Sequence, residues 1–182
     1  MKKILTILIL TISLYTYGQR KEANKYISKG IAKTRLQDYN GAIADYSKAI
    51  KLDSNWAMTY YNRGLAKIEI QDYRGAILDF NIAEDIEPYY CSEYAYLYTN
   101  RGIAKVELQD YWSALDDYNK AIKLDSNCTD AYYNRGIVKF DLGDVKGAYL
   151  DLSKAGEKGY SKAYDLIREY IKLPILKEII GK

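Results

Sequence analysis

Apolar and polar positions follow a helical period from residue 23 onward, and the same block of helices returns four times. Each block carries a glycine in its first helix and an alanine twelve residues later in its second. The glycines are Gly30, Gly64, Gly102 and Gly136, spaced 34, 38 and 34 residues apart. A constant period of this size indicates one helix pair that is stacked repeatedly. The pattern therefore predicts an all-α chain of four helix pairs.

Aromatic residues keep the same register as the glycines. One precedes each glycine by four residues, one begins most second helices, and one lies a turn beyond the alanine, as in Tyr60, Tyr73 and Phe80. This spacing predicts that most of these aromatic residues belong to the core and not to a recognition surface. A glycine in mid-helix costs about 1 kcal/mol relative to alanine. We therefore expect each glycine to face the alanine of its partner helix, so that the two helices approach closely.

Polar turn residues separate the predicted helices. Within the blocks, Gln37-Asp38 and its three equivalents predict a tight turn in which the aspartate caps the second helix. The second block has four extra residues, 91–94, before the third begins. Such an insertion should lengthen a loop or the following helix and leave the stack intact.

This pattern resembles the tetratricopeptide repeat family. The second block carries the matching residues, which are Tyr60, Gly64, Tyr73, Ala76, Phe80, Ala83 and Pro88. The resemblance implies a right-handed α-α superhelix of four tetratricopeptide-type helix pairs with a C-terminal capping helix. It also implies a concave groove lined by the first helices. The chain departs from the family where Arg63 and Lys67, with their equivalents, replace the usual leucine and aromatic residue.

The predicted boundaries follow the repeats. The four repeats span 23–56, 57–94, 95–128 and 129–162, with a linker at 19–22 and a capping helix and tail at 163–182. Pro174 interrupts the last helix, and we expect the apolar tail after it to fold back onto the cap.

The N-terminus predicts a signal peptide at 1–18. Lys2 and Lys3 precede an apolar stretch from Ile4 to Leu14, and small residues then favour cleavage before Gln19. The apolar stretch is shorter than the roughly 20 residues that span a bilayer. We therefore expect an exported protein, periplasmic or extracellular at the cell envelope, with no stable membrane span after cleavage. An uncleaved anchor is the alternative.

The composition limits the kinds of site and partner that we expect for this chain. The chain has no histidine, its formal net charge is +3, and its charges are interleaved, which does not indicate a nucleic-acid partner. We predict no catalytic residues, no metal and no cofactor; the paired acids Asp116-Asp117 and Glu84-Asp85 indicate a solvated helix face. Cys91 and Cys128 could form a disulfide in an exported chain, or they could be two unrelated thiols.

Three arginines recur sixteen residues before an aspartate, as in Arg101 and Asp117. This spacing predicts an ion pair within each repeat, worth about 0–1 kcal/mol if it is solvent-exposed. A row of arginines that binds an anionic ligand is the alternative.

The resemblance places a ligand in the groove of the first helices. A primary amide can donate to and accept from a peptide backbone, and Asn62, Asn100 and Asn134 recur at one matching position. Their alternative is a structural or solvated role. The predicted peptide-binding residues are Asn62, Asn100, Asn134, Tyr61, Tyr133, Leu65, Ile103, Ile137 and Phe140. Further groove positions are Ile27, Ser28, Ile31, Ile68, Glu69, Tyr96, Thr99, Val106, Glu107, Asp130 and Asp141.

These positions predict a non-catalytic module that binds a peptide or protein segment of unknown identity, with its oligomeric state left open. The charged clamp by which relatives bind a C-terminal carboxylate is not reproduced. The alternative is a cell-envelope scaffold that binds glycan or peptidoglycan through the tyrosine-rich residues 89–94.

Overall fold

A computed structural model describes residues 2–86 and 92–170, with side chains from residue 16 to 86 and from 94 to 169. Within these residues all regular structure is helical, which confirms the all-α prediction. The helices are α1 (Lys2–Arg35), α2 (Tyr39–Leu52), α3 (Ala57–Glu69), α4 (Tyr73–Ile86), α5 (Ser92–Glu107), α6 (Tyr111–Leu124), α7 (Thr129–Asp141), α8 (Val145–Glu157) and α9 (Lys162–Tyr170). The chain forms two compact units, which meet in sequence between Pro88 and Tyr89.

Unit 1 contains two helix pairs. Helices α1 and α2 pack together, α3 packs on α4, and α2 contacts α3. Helix α1 continues from Lys2 to Arg35 without a break at residues 18 or 22. The cleavage of residues 1–18 concerns processing of the chain and stays a prediction.

Unit 2 contains two further helix pairs and the cap. Helix α5 pairs with α6, α7 pairs with α8, and α9 packs on α8. Helix α5 has 16 residues where α3 and α7 have 13, so the insertion lengthens this helix as expected. Ala163 and Ile167 of α9 are buried against Leu152 and Ala155, which confirms the capping helix. The predicted tail lies outside the described residues.

Each repeat glycine makes room for a large side chain of the partner helix. A β-carbon on Gly64 would lie 2.7 Å from Cε1 of Phe80, and one on Gly102 would lie 2.6 Å from Cε1 of Tyr118. The alanines are fully buried, but the closest neighbour of each glycine is the larger side chain one turn later. In the fourth repeat this side chain is Leu152, and a β-carbon on Gly136 would also lie 3.3 Å from the carbonyl oxygen of Ala148. In the other three repeats the glycine makes room for a ring.

The tight turns have the predicted caps. The backbone N–H of Gly41 donates to Asp38 Oδ1 over 3.0 Å, and the equivalent bond from Gly147 to Asp144 measures 2.9 Å. In three turns the residue before the aspartate is a glutamine with φ of 60–62°, and in the fourth it is Gly143 with φ of 85°. This left-handed conformation suits glycine best, so the three glutamines hold it at a conformational cost.

The aromatic residues fill the core as predicted. Tyr46, Phe80 and Tyr118 are at most 1% exposed, and Tyr60 is 7% exposed. Tyr26, Tyr98 and Tyr132 are half-buried, and in each case a lysine or arginine lies within 5.6 Å of the ring centroid.

Cys128 is a buried free thiol. Its sulfur lies 3.5 Å from Thr99 Oγ1. Cys91 lies outside the described residues, so the structure shows only one member of the disulfide considered above.

Candidate peptide-binding faces

A buried ion pair joins the two helices of a repeat. Arg63 Nε donates to Asp79 Oδ2 over 2.8 Å, and Nη2 donates to Oδ1 over 2.6 Å. The pairs Arg101–Asp117 and Arg135–Asp151 have the same bidentate geometry. The predicted pairs are confirmed, and because they are largely buried the figure of about 0–1 kcal/mol for a solvent-exposed pair does not apply to them.

The aspartates are buried because they face the first helix between core residues. The side chain of Asp117 is 2% exposed, and Ala114 and Tyr118 on either side of it are buried. The same finding corrects the interpretation of Asp116-Asp117 as a solvated acid pair, since only Asp116 is exposed.

A lysine one turn after each arginine completes the cluster. Lys67 Nζ lies 2.8 Å from Asp79 Oδ2 and donates to the carbonyl oxygen of Gly75. Lys105 and Lys139 contact Asp117 and Asp151 in the same way. Both departures from the family pattern, the arginine and the lysine, therefore serve one buried carboxylate.

The arginine also reaches the preceding repeat, which the sequence analysis missed. Arg63 Nη1 donates to Ser47 Oγ of α2 over 3.0 Å, and Arg135 Nη1 donates to Asn119 Oδ1 of α6 over 2.5 Å. Ser47 and Asn119 each precede their arginine by sixteen residues, which is the signal that could have revealed them. These contacts hold the Arg63 and Arg135 side chains against the preceding repeat and favour the structural role over an anion-binding row.

The first candidate face lies on α3 in unit 1. We define the unit 1 face as Met58, Tyr61, Asn62 and Leu65, which helical spacing places on one side of α3. Tyr61, Asn62 and Leu65 are half-buried, and the Tyr61 ring packs 5.8 Å from that of Phe80. Met58 is 48% exposed. The sequence analysis missed Met58, although its position three residues before Tyr61 indicates the same face.

The second candidate face lies on α5 and α7, which contact each other in unit 2. We define the unit 2 face as Tyr96, Asn100, Ile103, Glu107, Asp130, Tyr133, Asn134, Ile137, Phe140 and Asp141. Its central apolar residues are half-buried, and Tyr96 is 51% exposed. The structure thus brings six of the nine predicted binding residues onto this face.

Some predicted groove residues have structural contacts. The Asn134 amide donates to the carbonyl oxygen of Asp130 over 2.9 Å, which leaves its carbonyl oxygen as an acceptor. The Tyr133 ring lies 4.5 Å from that of Tyr160, and burial raises the pKa of the Tyr133 hydroxyl. Thr99 is 3% exposed, and its hydroxyl donates to the carbonyl oxygen of Ala95. The prediction that Thr99 lines the groove is therefore wrong.

Two further observations come from the described residues. They contain no group of three or more histidine, cysteine or acidic side chains placed to hold a metal ion. In the same part of the chain, no helix is both long enough and apolar enough to cross a membrane.

Comparison with known proteins identifies the repeat type. The family model of the TPR repeat matches residues 30–71 and 102–143, one segment in each unit. No curated protein matches the chain at a significant level. The two matched segments are thus similar to the TPR repeat, and together they cover a little less than half of the chain.

Solved structures share the fold of these tetratricopeptide repeats. A crystal structure of the MamA protein is 25% identical with a TM-score of 0.75, over 87% of this chain and 86% of that one. YrrB, a TPR protein with an unusual peptide-binding site, is 23% identical with a TM-score of 0.65, over 85% and 83%. The first TPR of Spaghetti (RPAP3), bound to the HSP90 peptide SRMEEVD, is 25% identical with a TM-score of 0.64, over 68% and 95%.

Proposed function

We propose that the chain is a non-catalytic interaction module that binds a peptide or protein segment on its first-helix faces. The observation that carries this proposal is the unit 2 face. There helical spacing places Ile137 on the same side of α7 as Asn134, and Ile103 lies on the neighbouring α5. The Asn134 carbonyl oxygen can accept from a peptide N–H. A ligand site of this kind combines apolar contact area with a few polar groups that fix orientation.

A structural neighbour supports this assignment by analogy. The Spaghetti domain was solved with a bound HSP90 peptide, so helix pairs of this type can hold a peptide. Fold alone does not fix function, and the argument therefore depends on the residues of the two faces.

The test is peptide selection on the purified full chain, followed by affinity measurement for the best peptide. We expect Ile103→Asp and Ile137→Asp to weaken binding at least tenfold, because each places a carboxylate in the apolar contact. The matched control is Leu150→Asp, since Leu150 is 57% exposed on α8 of the same unit. Circular dichroism checks that each variant is folded. Equal affinity of the Ile137 and Leu150 variants would remove the unit 2 face from the proposal.

We further propose that the module acts outside the cytoplasm. The support is the sequence of residues 1–18, with its basic start and its apolar stretch. Mass spectrometry of the mature protein should find Gln19 as the first residue, and an intact Met1 would contradict export.

Glycan or peptidoglycan binding remains the alternative prediction. The tyrosine-rich segment 89–94 on which it depends lies largely outside the described residues. Co-sedimentation with insoluble cell wall separates the two functions, because a peptide-binding module should remain in the supernatant.

A further inference from the structure

The basic and the acidic side chains of α5 and α7 differ in their surroundings. Their described basic residues, Arg101, Lys105, Arg135 and Lys139, all contact a buried aspartate on α6 or α8. The described acidic residues of the same two helices, Glu107, Asp130 and Asp141, are exposed. The basic charge of these helices is thus neutralised inside the protein, whereas their acidic charge faces water.

The exposed acids lie beside the apolar residues of the unit 2 face. Asp130 precedes Tyr133 by three residues, and Asp141 follows Ile137 by four, so helical spacing places them on the same side of α7. Glu107 follows Ile103 by four residues on α5. The face therefore has an apolar centre between acidic ends. Its complement is an apolar segment that carries lysine or arginine, opposite in charge to the SRMEEVD peptide bound by the Spaghetti domain.

The chain itself contains a segment of this chemistry directly after α9. Residues 171–182 include six isoleucines and leucines, three lysines and a single acid, Glu178. Their net charge is +2, and the lysines are spaced by five residues at Lys172, Lys177 and Lys182. Covering such a segment is favourable, because its apolar side chains then leave water.

In place of the fold back onto the cap that the sequence analysis expects, we propose that residues 171–182 occupy the unit 2 face of their own chain and compete there with the external peptide. This inference rests on the proposed function, since it assigns an internal ligand to the same site. The distance is within reach: packed helices are about 8–10 Å apart, and twelve extended residues span up to about 40 Å. The tail starts from α9, which packs on α8 within the same unit.

The test is amide hydrogen exchange in the full chain. We expect the amides of residues 173 and 175–182 to exchange at least about tenfold more slowly than in the free peptide 171–182, as about 90% occupancy requires. The rim variant Glu107→Lys/Asp130→Lys/Asp141→Lys should abolish this protection. The tail variant Lys172→Glu/Lys177→Glu/Lys182→Glu should do the same. Combining the two sets restores opposite charges and should restore the protection.

The matched control is Asp85→Lys/Asp116→Lys, because both acids are exposed on second helices; it should leave the protection unchanged. Exchange of the wild-type tail at the rate of the free peptide would overturn the inference. Protection that survives rim reversal, or that disappears on hundredfold dilution and so reports a second copy, would also overturn it. An unprotected tail in a chain that still captures peptides through Ile103 and Ile137 would refute this inference alone and leave the proposed function standing.

Discussion

The helix interface of the first repeat differs from that of the third. In the third, Arg101 and Lys105 both contact Asp117, and the Arg101 and Asp117 side chains are 5% and 2% exposed. In the first, Lys29 stands at the arginine position and is exposed, and Asp45 contacts Lys33, whose side chain is 38% exposed. The same buried carboxylate is thus held by two cations in one repeat and by a single described cation in the other.

The difference indicates what the arginine adds. Its planar fork bonds a carboxylate through two nitrogens and still has a third to donate elsewhere. Arg63 and Arg135 use that third nitrogen to bond the second helix of the preceding repeat. The first repeat has a lysine at this position, Lys29, and a lysine has a single nitrogen with which to donate. In the second and fourth repeats the arginine therefore also joins its own repeat to the preceding one.

Removing the buried carboxylate should give the largest difference in stability between variants of the two repeats. Asp117→Ala leaves Arg101 and Lys105 buried without their anion, and we expect a loss of about 3–5 kcal/mol in the free energy of unfolding. Asp45→Ala should cost less than half as much, because Lys33 can turn its ammonium group into water. Urea denaturation followed by circular dichroism measures both losses.

A control for lost packing is the isosteric pair Asp117→Asn and Asp45→Asn, which keeps the shape of the side chain and removes its charge. If substitution of Asp117 and of Asp45 lowered the free energy of unfolding equally in both the alanine and the asparagine variants, the number of cations around the aspartate would not explain the difference between the repeats.

The fold could be predicted because its determinants are local in sequence. The small residues, the aromatic register and the Asp38-type caps each depend on spacing along one or two helices, and the structure confirms them. The contact of Gly64 with the Phe80 ring was not predicted, because it depends on how far a ring reaches across the interface and a sequence period does not contain that length.

The Arg–Asp interface and the two candidate binding faces could be predicted only in part, because they also depend on three-dimensional packing. A spacing of sixteen residues revealed the Arg101–Asp117 pair, but burial of the pair depends on the three-dimensional packing of α5 on α6. Thr99 fits the groove pattern by position, yet its hydroxyl bonds within the helix. Met58 was not predicted, although its spacing of three residues from Tyr61 is that of a shared helix face.

The next largest difference should come from two separate variants, Arg101→Lys in the third repeat and Lys29→Arg in the first. Arg101→Lys replaces a bidentate fork with one ammonium group, and we expect a loss of about 1–3 kcal/mol because part of the buried carboxylate loses its hydrogen bond. The reciprocal Lys29→Arg should change stability by about 0.5 kcal/mol or less, as exposed substitutions usually do. Thermal unfolding measures both, and a clear gain from Lys29→Arg would show that the first repeat also has an acceptor for the third nitrogen.

Alkaline pH should produce the smallest difference between the repeats. Burial raises the pKa of Tyr118, with a further increase from the nearby charges of Asp117 and Glu107. Burial also raises the pKa of Tyr46, but its hydrogen bond with Thr34 acts in the opposite direction. In both cases the folded chain keeps a proton that the unfolded chain releases above about pH 10. Stability should therefore fall as the pH rises beyond 10, by at most about 1.4 kcal/mol per pH unit for each tyrosine.

Tyr118→Phe should reduce this alkaline loss more than Tyr46→Phe. A ring without a hydroxyl fits this position, because the equivalent residue of the second repeat is Phe80 and is fully buried. The pKa of Lys33 is also raised, chiefly by its hydrogen bond with Asp45. The stability that this ion pair contributes is therefore also lost as the pH rises above 10.5. Both phenylalanine variants retain Lys33, and the difference between their urea midpoints at pH 9 and pH 11 therefore isolates the tyrosines. A larger gain from Tyr46→Phe would mean that the charges around Tyr118 do not distinguish the third repeat from the first.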